Sequence, residues 1–254
     1  MNRTLEEAKK LVAGPLGRQM EMFPLRFCKP VYFGVPPSHE HPVAVNNGTA
    51  SLLDLRGDQL AVTCHHVIEG YRCKLAEDRR CLFAIGNCYF DPLVQLVAED
   101  RAIDVAVLRL TAEQGAAITR KSNGMGEAFY QLGGWPPSAV NPNDFVTYGG
   151  FPGDLRQRIS FAELSFGSYS SGACRVTDVH ADYITCEFER EHWVRSSVEP
   201  EPESLGGLSG GPVFAIRHSP ADVITYEFAG VIFRMHESTE SLYIRQARAI
   251  PLGV

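Results

Sequence analysis

The chain has 254 residues and a formal net charge of −6, and 44% of its residues are apolar while 21% are charged. A chain of this length and balance can bury the core of one compact domain or of two joined halves. It has neither a basic tail nor a basic stripe, so nucleic acid is excluded as an expected partner. No run of about 18 apolar residues is present, so we expect no membrane partner.

The N-terminus and the cysteines predict a cytoplasmic protein. Residues 1–10 contain no apolar segment of the kind that a signal peptide requires. The seven cysteines are an odd number, which favours reduced thiols over a disulfide framework. The spacing of a zinc-binding pair is absent from Cys73, Cys81 and Cys88. A third ligand is not evident for His39 and His41. We therefore expect no metal site.

The first half of the chain predicts one helix followed by short strands. Residues 4–13 predict a helix that Thr4 caps and Gly14-Pro15 ends. A turn is predicted at Asn46-Asn47-Gly48 and a helix at 112–120. The predicted strands are 28–35, 49–55, 59–64, 81–86, 89–98 and 105–110.

The second half predicts a further set of short strands. The turn-rich stretch 134–144 is expected to connect the two halves. Glycine and proline punctuate the strands that follow, and this pattern favours an all-β fold. These predicted strands are 146–148, 160–164, 174–179, 183–188, 212–216, 224–233 and 242–244.

A glycine-rich turn contains the candidate nucleophile, Ser209. The turn reads Gly206-Gly207-Leu208-Ser209-Gly210-Gly211, and Pro212 then begins an apolar run. The glycines permit a sharp turn that presents the Ser209 hydroxyl outward. In such a turn the amides of Gly207 and Ser209 can point at one spot, as a nucleophile beside an oxyanion hole requires. The alternative is an incidental serine in a glycine-rich hairpin.

A serine nucleophile needs a base, and the base needs an acceptor that orients it. His65 and His66 directly follow a predicted strand, and either is a candidate base. Asp104 comes immediately before an apolar strand, which would anchor its carboxylate at the edge of a core. Asp91 and Asp100 are alternatives that are more typical of solvated loops.

Three blocks of sequence resemble those of one family. Gly207-Leu208-Ser209-Gly210-Gly211-Pro212 is similar to the G-x-S-G-G-P motif of the trypsin-like, chymotrypsin-fold serine proteases. The stretch 62–68 resembles the histidine motif of the bacterial high-temperature-requirement type, and 103–110 resembles the family's aspartate block. The order of the blocks also matches, and the resemblance covers roughly 28–246. Since Val67-Ile68 follows His66 as the motif requires, His66 is favoured over His65 as the base.

The resemblance implies a fold and a mechanism. The fold is all-β, with two six-stranded antiparallel β-barrels packed together and a short N-terminal helix. Residues 1–27 form the helical extension, 28–135 the barrel with His66 and Asp104, and 136–254 the barrel with Ser209. The implied activity is that of a serine endopeptidase that forms an acyl-enzyme on Ser209. It needs no metal and no organic cofactor, and its partner is a protein or peptide substrate.

The chain departs from the animal digestive members of this family. Leu208 stands where those proteins have an aspartate that pairs with a newly released N-terminus, so activation by such a cut is not expected. A regulatory partner protein is one alternative means of control. The bacterial type expected here has the protease core without a PDZ domain.

Counting back from Ser209 suggests which residues bind the substrate. Glu203 takes the place of the pocket-floor aspartate of trypsin, which predicts cleavage after basic residues. The alternative is that Glu203 belongs to a solvated acidic loop. Phe233, Arg234 and Met235 are expected to form the opposite wall of the pocket, with Met235 narrowing its entrance.

Other functions remain open at this point. A catalytically silent module that binds peptides or proteins on a protease fold is one alternative, and an esterase that reuses the triad is another. Small trypsin-like proteases without a leader occur in bacterial antiphage systems, so a regulated intracellular protease with an antiphage role is a further hypothesis.

Overall fold

The computed structural model describes residues 14–38, 43–120, 126–188, 202–218 and 223–252. Its helices are α1 (Pro15–Leu25), α2 (His65–Glu77), α3 (Pro92–Gln95) and α4 (Ala112–Ile118). A short N-terminal helix exists as α1, which begins at Pro15, where the sequence predicts the end of a helix. The helix predicted at 4–13 lies outside the described residues, and the helix predicted at 112–120 is present as α4. Among the helices of the described ranges, none has the length and apolar character needed to cross a membrane.

The first half of the chain forms one eight-stranded sheet. Its strands are β1 (Cys28–Val35), β2 (Ala44–Leu55), β3 (Asp58–Thr63), β4 (Leu82–Ile85), β5 (Cys88–Tyr89), β6 (Leu96–Asp100), β7 (Val105–Arg109) and β8 (Tyr130–Gln131). Seven of them run antiparallel in the order β5-β4-β1-β2-β3-β7-β6, and β8 joins β2 in parallel.

This sheet is open, so the prediction of a first closed barrel is not met. Among the described strands, the end strands β5 and β6 do not pair with each other. The predicted strand 89–98 is interrupted by α3, where Asp91 caps the helix by accepting a 2.9 Å hydrogen bond from the amide of Leu93. Pro92 suits the first turn of that helix because it has no amide to leave unpaired. The interruption leaves β5 only two residues long.

The second half contains the closed six-stranded barrel that was expected there. Its antiparallel strands follow the order β12-β13-β16-β15-β14-β9 around the barrel. They are β9 (Phe145–Gly150), β12 (Tyr169–Val179), β13 (Tyr183–Glu187), β14 (Pro212–His218), β15 (Ile224–His236) and β16 (Ser241–Gln246). The prediction of a strand at 160–164 is wrong. Most of this stretch is the loop between β10 (Arg156–Arg158) and β11 (Leu164–Phe166), which pair as a separate hairpin.

Two features near the site differ from the sequence prediction. Asn46-Asn47-Gly48 is not a turn but lies inside β2, where it pairs with β1. Pairing on the sheet outweighs the local turn preference of these residues. Helix α2 was not predicted, and it buries Val67, Ile68 and Tyr71 against the first core. Its first two residues are His65 and His66, so a packed helix positions both histidines.

One apolar cluster joins the two halves. It contains side chains of the first sheet, such as Leu53 and Val107, together with Phe214 and Phe228 of the barrel. Phe214 is fully buried, and Phe23 of α1 meets its ring edge-on with centroids 5.1 Å apart. The halves and α1 therefore share a continuous core.

We predict that Phe214→Ala destabilises the protein by about 3–5 kcal/mol, because the substitution leaves a cavity where the halves meet. The free energy of unfolding is measured by urea denaturation. Phe161, which is 51% exposed, is the matched control, and Phe161→Ala should change stability by less than about 0.5 kcal/mol. Equal stability of the two variants would show that the shared core is not formed.

Candidate active site

His66 and Asp104 form a direct pair. The imidazole Nδ1 of His66 lies 2.8 Å from Oδ2 of Asp104, and the other carboxylate oxygen accepts a 2.9 Å hydrogen bond from the backbone amide of His66. Asp104 ends the turn before β7 with φ at 55°, a left-handed conformation that aspartate tolerates better than most residues. The carboxylate therefore binds both the side chain and the main chain of His66.

The surroundings of Asp104 keep it ionised. Burial favours its protonated form, but the hydrogen bonds from the imidazole and amide of His66, and the charges of His66 and His65, lower its pKa below the ordinary value. The amide that it accepts belongs to the first turn of α2, where unpaired N–H groups favour a negative charge. An ionised carboxylate can only accept, so Nδ1 of His66 carries the proton. In neutral His66, Nε2 is then free to act as a base.

His65 has a carboxylate partner of its own. Its Nδ1 lies 2.8 Å from Oε1 of Glu99. Each carboxylate oxygen of Glu99 also accepts a 2.7 Å hydrogen bond from Arg72. Hydrogen bonds from Arg72 outweigh the effect of burial and lower the pKa of Glu99. Since the Arg72 guanidinium already compensates this carboxylate, Glu99 is less able than Asp104 to stabilise a positive imidazole. Side-chain exposure also differs, at 15% for His65 and 51% for His66.

Backbone hydrogen bonds fix the turn around Ser209. The carbonyl of Ser209 accepts a 2.9 Å bond from the amide of Thr49, and the amide of Gly210 donates to Ile232 at 2.7 Å. Gly207 and Gly210 have φ of 102° and 90°, a region that favours glycine. A Cβ on Gly207 would lie only 2.6 Å from Asn47 Nδ2. The turn thus needs glycine for both conformation and space.

The same turn orients two amides. The carbonyl of Gly206 accepts a 2.7 Å bond from Gly153, and that of Leu208 accepts a 2.7 Å bond from Gly211. In a trans peptide the N–H points opposite to the C=O, so the amides of Gly207 and Ser209 point away from those donors. Neither amide donates a hydrogen bond within the described part of the chain. Both are available to an oxyanion.

Buried hydroxyls connect this turn to the first sheet. The hydroxyl of Thr49 donates to the carbonyl of Gly207 at 2.9 Å and accepts from the amide of Phe151 at 3.0 Å. Ser51 donates to the carbonyl of Gly210 at 2.7 Å. Thr63 donates to the carbonyl of Thr49 at 2.8 Å. We call Thr49, Ser51 and Thr63, all fully buried, the hydroxyl seam.

Two cavities meet at Ser209. The first, of about 390 Å³, lies beside the glycine turn and is also lined by Arg234 and Met235. The second, of about 550 Å³, is lined by His66 and Asp104 together with Phe233 and Arg234. The structure therefore brings the three predicted triad residues to one cavity.

Not every predicted substrate-binding residue lies at these cavities. Phe233, Arg234 and Met235 line one or both of them. Glu203 is exposed and lies outside the lining of both. Leu208, at the position of the missing aspartate, is 2% exposed and packs in the core of the barrel.

Sequence reasoning missed the residues that support the turn. Asn47 donates to the carbonyl of Phe151 at 3.0 Å and accepts from Arg156 at 3.0 Å. The sequence predicts a turn at Asn47 and an ordinary strand at Thr49 and Ser51. The available signal was a run of small polar residues within an otherwise apolar strand, since buried hydroxyls need partners.

One cluster within the described ranges has the spacing of metal ligands. Atoms of Cys64, His66 and Asp104 lie within 4.8 Å of one another. Burial raises the pKa of the Cys64 thiol well above its ordinary value, and its Sγ donates to the carbonyl of Ile232 at 3.3 Å. A protonated thiol is a poor ligand, and both Asp104 oxygens already bind His66. This set suits proton transfer better than metal binding.

We predict that Thr49→Val lowers the free energy of unfolding by about 1–3 kcal/mol, because the change leaves buried partners on Gly207 and Phe151 unpaired. Thr49→Ser keeps the hydroxyl and is the control, with an expected loss of about 0.8 kcal/mol for one methyl group. Urea denaturation measures both. A valine variant as stable as the serine variant would contradict a role for the hydroxyl.

Of the known proteins compared with the chain, matches were found among solved structures. No family model and no curated protein matches the chain. Its fold is similar to that of an inactivated protease paralogue of the scabies mite, S-I1, with a TM-score of 0.44, 13% identity and coverage of 91% of this chain and 92% of that one. It is also similar to AL20, a thermostable serine protease from an extremophilic microorganism, with a TM-score of 0.44, 12% identity and coverage of 87% and 91%.

Proposed function

We propose that the chain is a serine endopeptidase in which His66, Asp104 and Ser209 form the catalytic triad. The observation that carries this proposal is the doubly bonded His66–Asp104 pair at the cavity that Ser209 also lines. A paired imidazole with a free Nε2 is the base that a serine hydroxyl requires. The same arrangement would serve an esterase, and turnover of short esters without peptides would distinguish that activity.

The proposed reaction proceeds through an acyl-enzyme. His66 Nε2 removes the proton of Ser209 Oγ as the oxygen attacks the substrate carbonyl, and Asp104 stabilises the resulting imidazolium. The imidazolium then gives this proton to the leaving amine as the carbon–nitrogen bond breaks. Water, deprotonated by His66, attacks the ester, and the proton returns to Ser209 as the acid product leaves.

The unpaired amides of Gly207 and Ser209 are the proposed oxyanion donors. They are fixed before substrate arrives, so no reorganisation is needed when negative charge develops on the carbonyl oxygen. Removing one such donor typically costs about 2.7–4 kcal/mol of barrier. Glycine at 207 therefore serves both the turn and the chemistry.

The geometry bears on specificity and control. Cleavage after basic residues would require a carboxylate on the cavity wall, and the position of Glu203 gives that preference no support. Leu208 packs in the core and has no carboxylate, so this residue cannot order the turn through an ion pair with a new N-terminus. Control by a regulatory partner or by narrow specificity is consistent with such a site.

We predict that Ser209→Ala lowers kcat for peptide hydrolysis by about six orders of magnitude and abolishes labelling by a fluorophosphonate. Wild-type protein should hydrolyse peptides in a digest of mixed substrates. Turnover of short esters without peptides would instead identify an esterase. Absence of both turnover and labelling in wild type would identify a silent module, and labelling of the alanine variant would exclude Ser209 as the nucleophile.

We predict that the two neighbouring histidines differ sharply in effect. His66→Ala should lower kcat/KM by at least about four orders of magnitude, because it removes the base. His65→Ala should cost less than about tenfold, because Arg72 still compensates Glu99. Steady-state kinetics on one peptide measure both variants. A larger loss of kcat/KM in His65→Ala than in His66→Ala would assign the base to His65.

A further inference from the structure

The second cavity is lined by cationic side chains although the chain as a whole is acidic. Arg101 and Arg234 line it beside His66 and Ser209, while the net charge of the chain is −6. Both arginines are exposed. Neither side chain makes a hydrogen bond or an ion pair with any residue in the described ranges. Two uncompensated guanidinium groups thus face the same space.

Arg245 is an independent observation in the same cavity. It lines the cavity, and its side chain is 4% exposed. One terminal nitrogen binds Asp182, and the guanidinium lies 4.2 Å from the centroid of the Phe233 ring. Its Nε is buried and has no hydrogen-bond acceptor. A buried donor without a partner is costly, and an acceptor brought by a ligand would satisfy it.

Carboxylates of the protein itself do not neutralise this cavity. Asp104 is the one acidic residue among its described lining residues, and both of its oxygens bind His66. Glu99, which holds His65 at the edge of the cavity, is matched by Arg72. Asp182 matches Arg245. None of these carboxylates therefore neutralises the positive charges of Arg101 and Arg234.

We propose that this cavity binds an acidic side chain of the substrate. The enzyme would then prefer aspartate or glutamate immediately N-terminal to the cleaved residue, which is the residue whose carbonyl group Ser209 attacks. This inference rests on the proposed peptidase function. Successive side chains of an extended peptide point to opposite sides. With the cleaved residue's side chain in the first cavity, the preceding one turns toward His66, Arg101 and Arg234.

The test uses pairs of peptides that differ only by aspartate against asparagine, or glutamate against glutamine, at each position around the scissile bond. kcat/KM is measured for wild type, Arg101→Gln, Arg234→Gln and the double variant. Arg79→Gln is the matched control, since Arg79 is exposed just beyond the far end of α2. Ser209→Ala is titrated with the same peptides by fluorescence anisotropy, which reports binding without turnover.

Wild type should prefer the acid over its amide by about tenfold at the position before the cleaved residue. The ratio should fall toward about one in the double variant and stay unchanged in Arg79→Gln. It should also fall between about 0.01 M and 1 M salt, as the Debye length shrinks from about 30 Å to 3 Å. A wild-type ratio of one or less, or an unchanged ratio in the double variant, overturns the inference.

The two proposals fail in different ways. If wild type hydrolyses peptides without preferring the acid, the peptidase stands and the acidic subsite falls. If no peptide is hydrolysed, the peptidase falls, and the binding measurements decide the subsite alone. Tighter binding of the acidic peptide that is lost with both arginines supports it, and equal binding of acid and amide overturns it.

Discussion

The hydroxyl of Thr49 is the contact on which the candidate site depends. It joins the carbonyl of Gly207 to the amide of Phe151 from a side chain that is fully buried, and leaving such groups unpaired is costly. Thr63 binds the carbonyl of Thr49 and stands three residues before His66 in the chain. The nucleophile turn and the candidate base are therefore both positioned by β2 and β3, and a shift of either strand would displace both groups.

The residues of the candidate site could be proposed from the sequence because their signals are local. A serine among glycines, a histidine after a strand and an aspartate before one each depend on a few adjacent residues, and the structure brings Ser209, His66 and Asp104 to one cavity. Strand β1 has the predicted bounds, since an apolar run between turn signals gives a clear period. Similar patterns predicted an all-β second half, whereas its closed barrel was implied by the resemblance of the three sequence blocks.

What sequence did not predict depends on contacts between distant segments. The turn expected at Asn46-Asn47-Gly48 lies in β2 because β1 supplies a pairing partner for each of the three residues. The first sheet is not closed among the described strands, and Asp91 and Pro92 begin a helical turn where a continuous strand was expected. The hydroxyl seam and the lining of the cavities join residues from both halves, and no local pattern encodes such a pairing. Glu203 shows the converse, since its position in a motif did not determine its burial.

The hydroxyl seam has a consequence for the order of events during synthesis. Thr49 and Gly207 are 158 residues apart, and Ser51 and Gly210 are 159 apart. Synthesis proceeds from the N-terminus, so the segments that carry His66 and Asp104 are made long before the glycine turn, and the seam can close only when both halves are present. The proposed triad would then be complete only after the glycine turn has docked on the first sheet.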